Sequence, residues 1–165
     1  MYFYPEERKN IVERWFRGRE QCQNLELADV VIVSYGKSGR TWLRVMLSRV
    51  YQQMHRLPLD ALISFDNFHG TNKAIPSTFF THDNYIKDYT GHKDSKIDFY
   101  GKKVVLLARD PRDVAVSQFF QWKYRMKSYK KMLNEYPADR SDVSVFDFVC
   151  LLLILQASVF LLFVL

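Results

Sequence analysis

Residues 28–42 read Ala28-Asp29-Val30-Val31-Ile32-Val33-Ser34-Tyr35-Gly36-Lys37-Ser38-Gly39-Arg40-Thr41-Trp42. Residues 28–34 form a short, mostly apolar run rich in β-branched residues, the pattern of a buried strand. Gly36 and Gly39 punctuate the loop that follows. A helix is predicted to open near Arg40 and to run to about Met54. Leu43, Met46, Leu47 and Val50 fall at i, i+3, i+4 and i+7 and are expected to share one apolar face. Strand, glycine turn and helix in this order make an anion-binding arrangement. Backbone N–H groups and the positive helix end point at the loop, and glycines permit close approach. Lys37 adds a mobile cation, and Ser38 and Thr41 add hydroxyl donors. The competing reading is an ordinary strand-to-helix turn with an exposed lysine.

A Walker A loop needs Gly, four residues, then Gly-Lys-[Ser/Thr]. Gly36-Lys37-Ser38 supplies the end of that pattern, but the position of its first glycine is Val31, inside the strand. The pattern fails, and no strand end presents an Asp beside a hydroxyl for magnesium.

The arrangement recurs downstream. Residues 103–108 are a second buried-type strand, and Asp110-Pro111 opens a helix to about Trp122, with proline at its first position. Arg109 ends the strand, where a guanidinium can fork onto phosphate oxygens. Ser117 lies about two turns into the helix, on a face that can reach the same anion. Alternatively, Arg109 pairs with Asp110 or Asp113 and Ser117 is a small packing residue. A third short strand is expected over residues 77–82. It ends in His82, whose ordinary pKa near neutrality suits a general base. Asp83 either orients that imidazole or caps a turn, and His55, His69 and His92 are read as structural. Strand, loop and helix, repeated, imply an α/β fold: a P-loop-like parallel sheet flanked by helices. Ligands in such sheets bind beyond the carboxyl ends of the strands.

Elsewhere the chain is less informative. Residues 5–21 read as a packing helix with an apolar stripe of Ile11, Val12, Trp15 and Phe16. Residues 57–78 are expected to hold irregular structure and short helices, and residues 83–101 to be rich in turns. Residues 123–131 form a basic helix or loop in which Lys123, Arg125, Lys127, Lys130 and Lys131 interleave with Tyr124 and Tyr129. A solvated helix face is the plain reading, and a nucleic-acid or membrane contact is the sharper one.

The 165 residues are 48% hydrophobic and 25% charged, a globular composition that suits one domain. The net charge of +6 fits an anionic partner without choosing one. Two cysteines, Cys22 and Cys150, make no disulfide framework and no zinc cluster, and the charged N-terminus has no secretory h-region. A cytoplasmic location is expected. From Phe148 to Leu165 the sequence carries no charge. As a helix it spans about 27 Å, close to a bilayer core. An apolar C-terminal helix acting as a membrane anchor, a buried core helix, and a non-native end of the domain are the three readings of residues 148–165.

Taken together, the motifs resemble the sulfotransferase family that uses 3′-phosphoadenosine 5′-phosphosulfate (PAPS). Ser34-Tyr35-Gly36-Lys37-Ser38-Gly39-Arg40-Thr41-Trp42 is similar to the family's first signature, [Ser/Thr]-Tyr-Pro-Lys-Ser-Gly-Thr-Thr-Trp. Arg109-Asp110-Pro111-Arg112-Asp113 through Ser117 resembles its second signature, and Phe80-Thr81-His82 its Lys-Thr-His element. The resemblance covers residues 26–147, read as a partial domain within 1–147, with 148–165 as the tail. It implies PAPS as sulfuryl donor and no metal. Lys37, Ser38, Gly39, Arg40 and Thr41 would bind the 5′-phosphosulfate, and Trp42 would lie against the adenine. Arg109 and Ser117 would bind the 3′-phosphate. His82 would take the proton of an acceptor hydroxyl or amine, and Lys37 would stabilise the departing phosphate oxygen. The acceptor, a small molecule, glycan or lipid, is unspecified, and no nucleic-acid partner is implied. Gly36 stands where the family has Pro, Arg40 where it has Thr, and Phe80 where it has Lys. The family's later Arg-Lys-Gly-x-x-Gly segment is absent, so the sheet is expected to be incomplete at its C-terminus and this chain alone to be weakly active or inactive. A nucleotide kinase and a non-catalytic membrane-anchored or anion-binding module are the alternatives.

Overall fold

The computed structural model describes residues 6–93, 95–134, 136 and 142–150. The chain forms two compact units, residues 12–109 and residues 1–11 with 110–165.

The first unit carries the sheet. Strands β1 (Val30–Ser34), β2 (Thr78–Thr81) and β3 (Lys103–Leu107) are parallel, in the order β2-β1-β3. The register pairs Val33 with Thr81 and Ser34 with Leu107. All three carboxyl ends are therefore level at one edge. Val31, Ile32 and Val33 are buried, each stabilising by about 1.5–3 kcal/mol relative to exposure. β1 is the expected buried strand, starting at Val30 because Asp29 turns aside. Ser77 donates both its backbone N–H and its hydroxyl to the Asp29 carboxylate, each at 2.8 Å. These bonds hold the Asp29 carboxyl below its usual range.

β3 departs from expectation. Val104, Val105 and Leu106 are 45%, 48% and 50% exposed. A continuous apolar run is buried only when both faces of its strand are covered. β3 is the edge of the sheet, and among the described residues no further strand pairs with it.

Helix α1 (Glu6–Leu27) runs six residues past the expected end at 21, through residues free of Gly and Pro, and closes on buried Leu25. Its stripe of Ile11, Val12, Trp15 and Phe16 is largely exposed, although Trp15 meets Tyr89 edge-on at 5.2 Å between centroids. The packed face is polar and small. Arg14 Nε donates to Asp88 Oδ2 at 2.9 Å, and Gly18 lies against the backbone of Tyr85 in helix α4 (Ile86–Thr90) and its approach.

Helix α2 (Arg40–His55) is placed as expected, but its buried residues are Ser48 and Gln52, with Met46 and Val50 exposed. The polar face Arg44, Ser48, Gln52 clamps the loop at 61–63. Arg44 Nε donates to Ile63 O (2.9 Å), Ser48 Oγ accepts from Ile63 N (2.7 Å), and Gln52 Nε2 donates to Ala61 O (2.8 Å). Those bonds seat Ile63 in a core with Phe68, from the short helix α3 (Asn67–Thr71), and Ile75. Leu47 and Tyr51 of α2 pack against that core.

The second unit holds α5 (Pro111–Tyr124) and α6 (Ser128–Leu133). Asp110 caps α5 by accepting from Arg112 N at 2.9 Å, with Pro111 in the first turn. Phe119, Trp122 and Phe148 form its core, Phe148 stacking on Trp122 at 4.8 Å between centroids. Phe148, the first residue of the apolar run, is thus fully buried in a folded core. Residues 151–165 lie outside the described residues, and with them the anchor and core-helix readings of the tail. Among the described residues no helix is long and apolar enough to cross a membrane.

Candidate functional site

The level strand tips bring three of the expected groups to one edge of the first unit. Beyond β1 the chain turns sharply. Lys37 has φ 68°, and Gly39, the residue before α2, has φ 96°. A left-handed φ of that kind favours glycine, and Gly39 has open space where a side chain would stand. Ser38 is buried under the turn, its N–H donating to Tyr35 O at 3.3 Å. Gly39 offers no side-chain cap to α2, and the first turn of α2 holds no acidic residue. The first N–H groups of a helix have no intrahelical acceptor. With no capping side chain and no carboxylate in that turn, the positive end of α2 is available to an external anion. Arg40 opens the helix half-buried, while Thr41 and Trp42 are exposed.

Arg109 follows β3. Its Nη1 donates to Lys37 O at 3.3 Å, which ties the second strand tip directly to the lysine turn. Asp110, a candidate partner for Arg109, is instead engaged by Arg112, whose Nη2 lies 2.7 Å from Asp110 Oδ2. Arg112 holds the Asp110 carboxyl down to about 2. Ser117 is half-buried on α5, in the second unit.

His82 sits one residue past β2, beside Ser34. Its Nδ1 lies 2.6 Å from Ser34 O and 3.3 Å from Ser34 Oγ. A carbonyl oxygen only accepts, so Nδ1 carries the proton and Nε2 keeps its lone pair. Burial, reinforced by the charge of Arg40, lowers the His82 pKa to about 4, against the opposing bond to Ser34. The imidazole is therefore neutral at neutral pH. Asp83 does not orient it. Asp83 turns away with φ 55°, its N–H donating to Thr81 Oγ1 and its carboxylate taking Lys96 Nζ at 2.5 Å. Burial pushes the Asp83 carboxyl up against the pull of Lys96. The orienting group is the Ser34 carbonyl, invisible in composition but implied by register, since Ser34 falls beside His82 one step beyond the Val33–Thr81 pair.

Arg44 of α2 lies over Phe80, 5.6 Å from its centroid. Phe80 lies on β2, two residues before His82. Arg44, one turn beyond Arg40, also presses on Arg40, whose guanidinium is lowered chiefly by burial. The remaining histidines have structural partners, His55 with Asn72, His69 with Ile75 O and His92 with Asp98.

Sheet and site together define an α/β protein whose strand tips gather a lysine turn, an arginine and a neutral imidazole. A sulfotransferase domain model matches residues 27–150, most of the chain, and the chain belongs to the sulfotransferase domain family. It is 29% identical to human Sulfotransferase 2A1 over 108 residues, 62% of this chain and 38% of that protein. The chain thus spans well under half the length of that relative. No solved structure matches it.

Proposed function

We propose that this site takes PAPS as donor and directs its sulfuryl group to an acceptor hydroxyl or amine. The observation that carries the reading is the 3.3 Å bond from Arg109 to the backbone of Lys37. It brings two cationic strand tips close enough to serve one doubly phosphorylated ligand.

The turn fits such a ligand, with its left-handed residues and the uncapped, acid-free start of α2. Lys37, Ser38, Gly39, Arg40 and Thr41 would hold the 5′-phosphosulfate end, and exposed Trp42 offers a face for the adenine. Arg109 would exchange its bond to Lys37 O for the 3′-phosphate. A single guanidinium–carbonyl hydrogen bond contributes about 1.5–3 kcal/mol, below a bidentate arginine–phosphate contact in which both partners are charged.

PAPS supplies the activated sulfuryl group. His82 Nε2 removes the acceptor's proton as the acceptor oxygen or nitrogen bonds to sulfur. The sulfur–oxygen bond to phosphate breaks, and its electron pair stays on the phosphate oxygen, where Lys37 offsets the charge. Removal of such a cation typically costs roughly 10²–10³ in rate. The Ser34 carbonyl keeps Nε2 as the basic nitrogen. A base with a pKa of about 4 is weak at neutral pH. Anionic donor groups nearby would raise it toward the working range.

The test is thermal stabilisation by 3′-phosphoadenosine 5′-phosphate against ATP with magnesium. At a hundredfold excess over Kd, a ligand of the folded state adds about 2.7 kcal/mol. The bisphosphate should raise Tm, and Lys37→Ala and Arg109→Ala should each abolish the rise. A preference for magnesium–ATP would assign the site to a kinase-like nucleotide binder instead.

A further inference from the structure

The second unit carries a surface that the donor site does not use. Between Val114 and Asn134 the sequence holds five cations, Lys123, Arg125, Lys127, Lys130 and Lys131, and no Asp or Glu. Two of the five are committed inward. Lys131 is buried with Nζ 5.1 Å from the Trp122 centroid, and Lys123 Nζ lies 3.5 Å from Val143 O and over the Phe119 ring. Arg125, Lys127 and Lys130 are exposed, and among the described residues no carboxylate pairs with them.

The same unit exposes apolar side chains where a solvated helix would expose polar ones. Val116, Phe120 and Tyr124 recur at i, i+4 and i+8 along α5 and are 45%, 48% and 67% exposed. They form a ridge opposite the buried face of Val114, Phe119 and Trp122. Phe120 and Tyr124 stack on each other, 6.0 Å apart and 20° from parallel. Tyr129 and Met132 continue the exposure on α6.

We infer that this ridge, with Arg125, Lys127 and Lys130 at its C-terminal end, docks on an anionic lipid bilayer. Exposed aromatic and aliphatic side chains beside exposed cations match an interface of apolar chains and negative headgroups. A single-stranded nucleic acid fits less well. It would use aromatic faces for bases, yet Phe120 and Tyr124 already cover one another, and Val116 and Met132 offer no ring. Residues 151–165 of the sequence are also uncharged, which suits the same apolar phase.

The experiment is co-sedimentation of the full chain with vesicles of phosphatidylcholine alone and with added phosphatidylserine, at physiological salt. The chain should partition onto the phosphatidylserine vesicles more strongly, and Arg125→Gln/Lys127→Gln/Lys130→Gln should weaken that partitioning roughly 100-fold. These side chains are exposed, so an unchanged Tm checks that the triple variant is folded. Phe120→Ser/Tyr124→Ser should weaken binding to the same vesicles, while Lys37→Ala should leave it unaltered. Equal binding to both vesicle types would overturn the inference by assigning attachment to the uncharged run. Unchanged binding of the triple variant would overturn it too. So would a preference for a single-stranded oligonucleotide over phosphatidylserine vesicles.

Discussion

Replacing His82 with glutamine tests the electrostatic frame of the site without requiring turnover. His82 is neutral in the folded chain, with its pKa lowered from 6.5 to about 4 by burial and by Arg40. In the unfolded chain the imidazole titrates near its ordinary value. Between those two values the unfolded state binds more protons, so this residue's contribution to stability is fully present above about pH 6.5. It is lost as the pH falls toward 4. For this pair of pKa values, lowering the pH from 7 to 5 removes about 2 kcal/mol. In a chain of this size that is roughly 4–8 °C in Tm. The raised carboxyl of Asp83 also changes charge as the pH falls, so the quantity to measure is the difference between the native chain and His82→Gln. Urea unfolding of both at pH 7 and pH 5 should show the native advantage shrinking by about 2 kcal/mol. The His82 Cε1–H resonance, assigned by its loss in the variant, should titrate near 4. A constant stability difference, together with a resonance titrating near 6.5, would refute burial and the Arg40 charge as forces acting on this imidazole.

Three further outcomes follow from individual contacts. Arg40→Gln should move the His82 titration upward toward its ordinary value, read from the same resonance, because the second-largest cause of the depression is then gone. Gly18→Ala should destabilise by about 1–3 kcal/mol despite the better helix former, since its Cβ would lie 2.3 Å from Tyr85 O; denaturant melts check this. Ser48→Ala should cost about 1–3 kcal/mol, because it strands the buried N–H of Ile63. Hydrogen exchange at the Ile63 amide should accelerate in that variant and not in Thr41→Ala.

The local part of this fold was legible in the sequence because its signals are short in range. The β-branched run of β1, the glycine turn and the start of α2 announce themselves within fifteen residues, as do Arg109, the Asp110 cap and Pro111. What periodicity misjudged was which face is covered. On α2 it selected Met46 and Val50 for the apolar face, whereas Ser48 and Gln52 are buried because they satisfy a loop amide and a loop carbonyl fifteen and nine residues away. On α1 it selected Trp15 and Phe16, whereas Gly18 is the residue that permits the close approach. Apolar spacing cannot register a polar side chain whose value lies in pairing distant backbone. The site shows the same divide. His82 was legible as a residue at a strand tip, but its orienting partner is a main-chain oxygen that only strand register supplies. Ser117 was legible as a position and belongs to the second unit, where the sheet's register gives no information about it.

The open flank of β3 has a consequence for how this protein behaves at high concentration. Among the described residues no strand pairs with the outer side of the five-residue β3, whose valine and leucine side chains are half bare. Such a flank is a template for another extended segment. Self-association should therefore rise steeply with protein concentration, and a charged side chain at Val105 should improve solubility more than the same change on any loop.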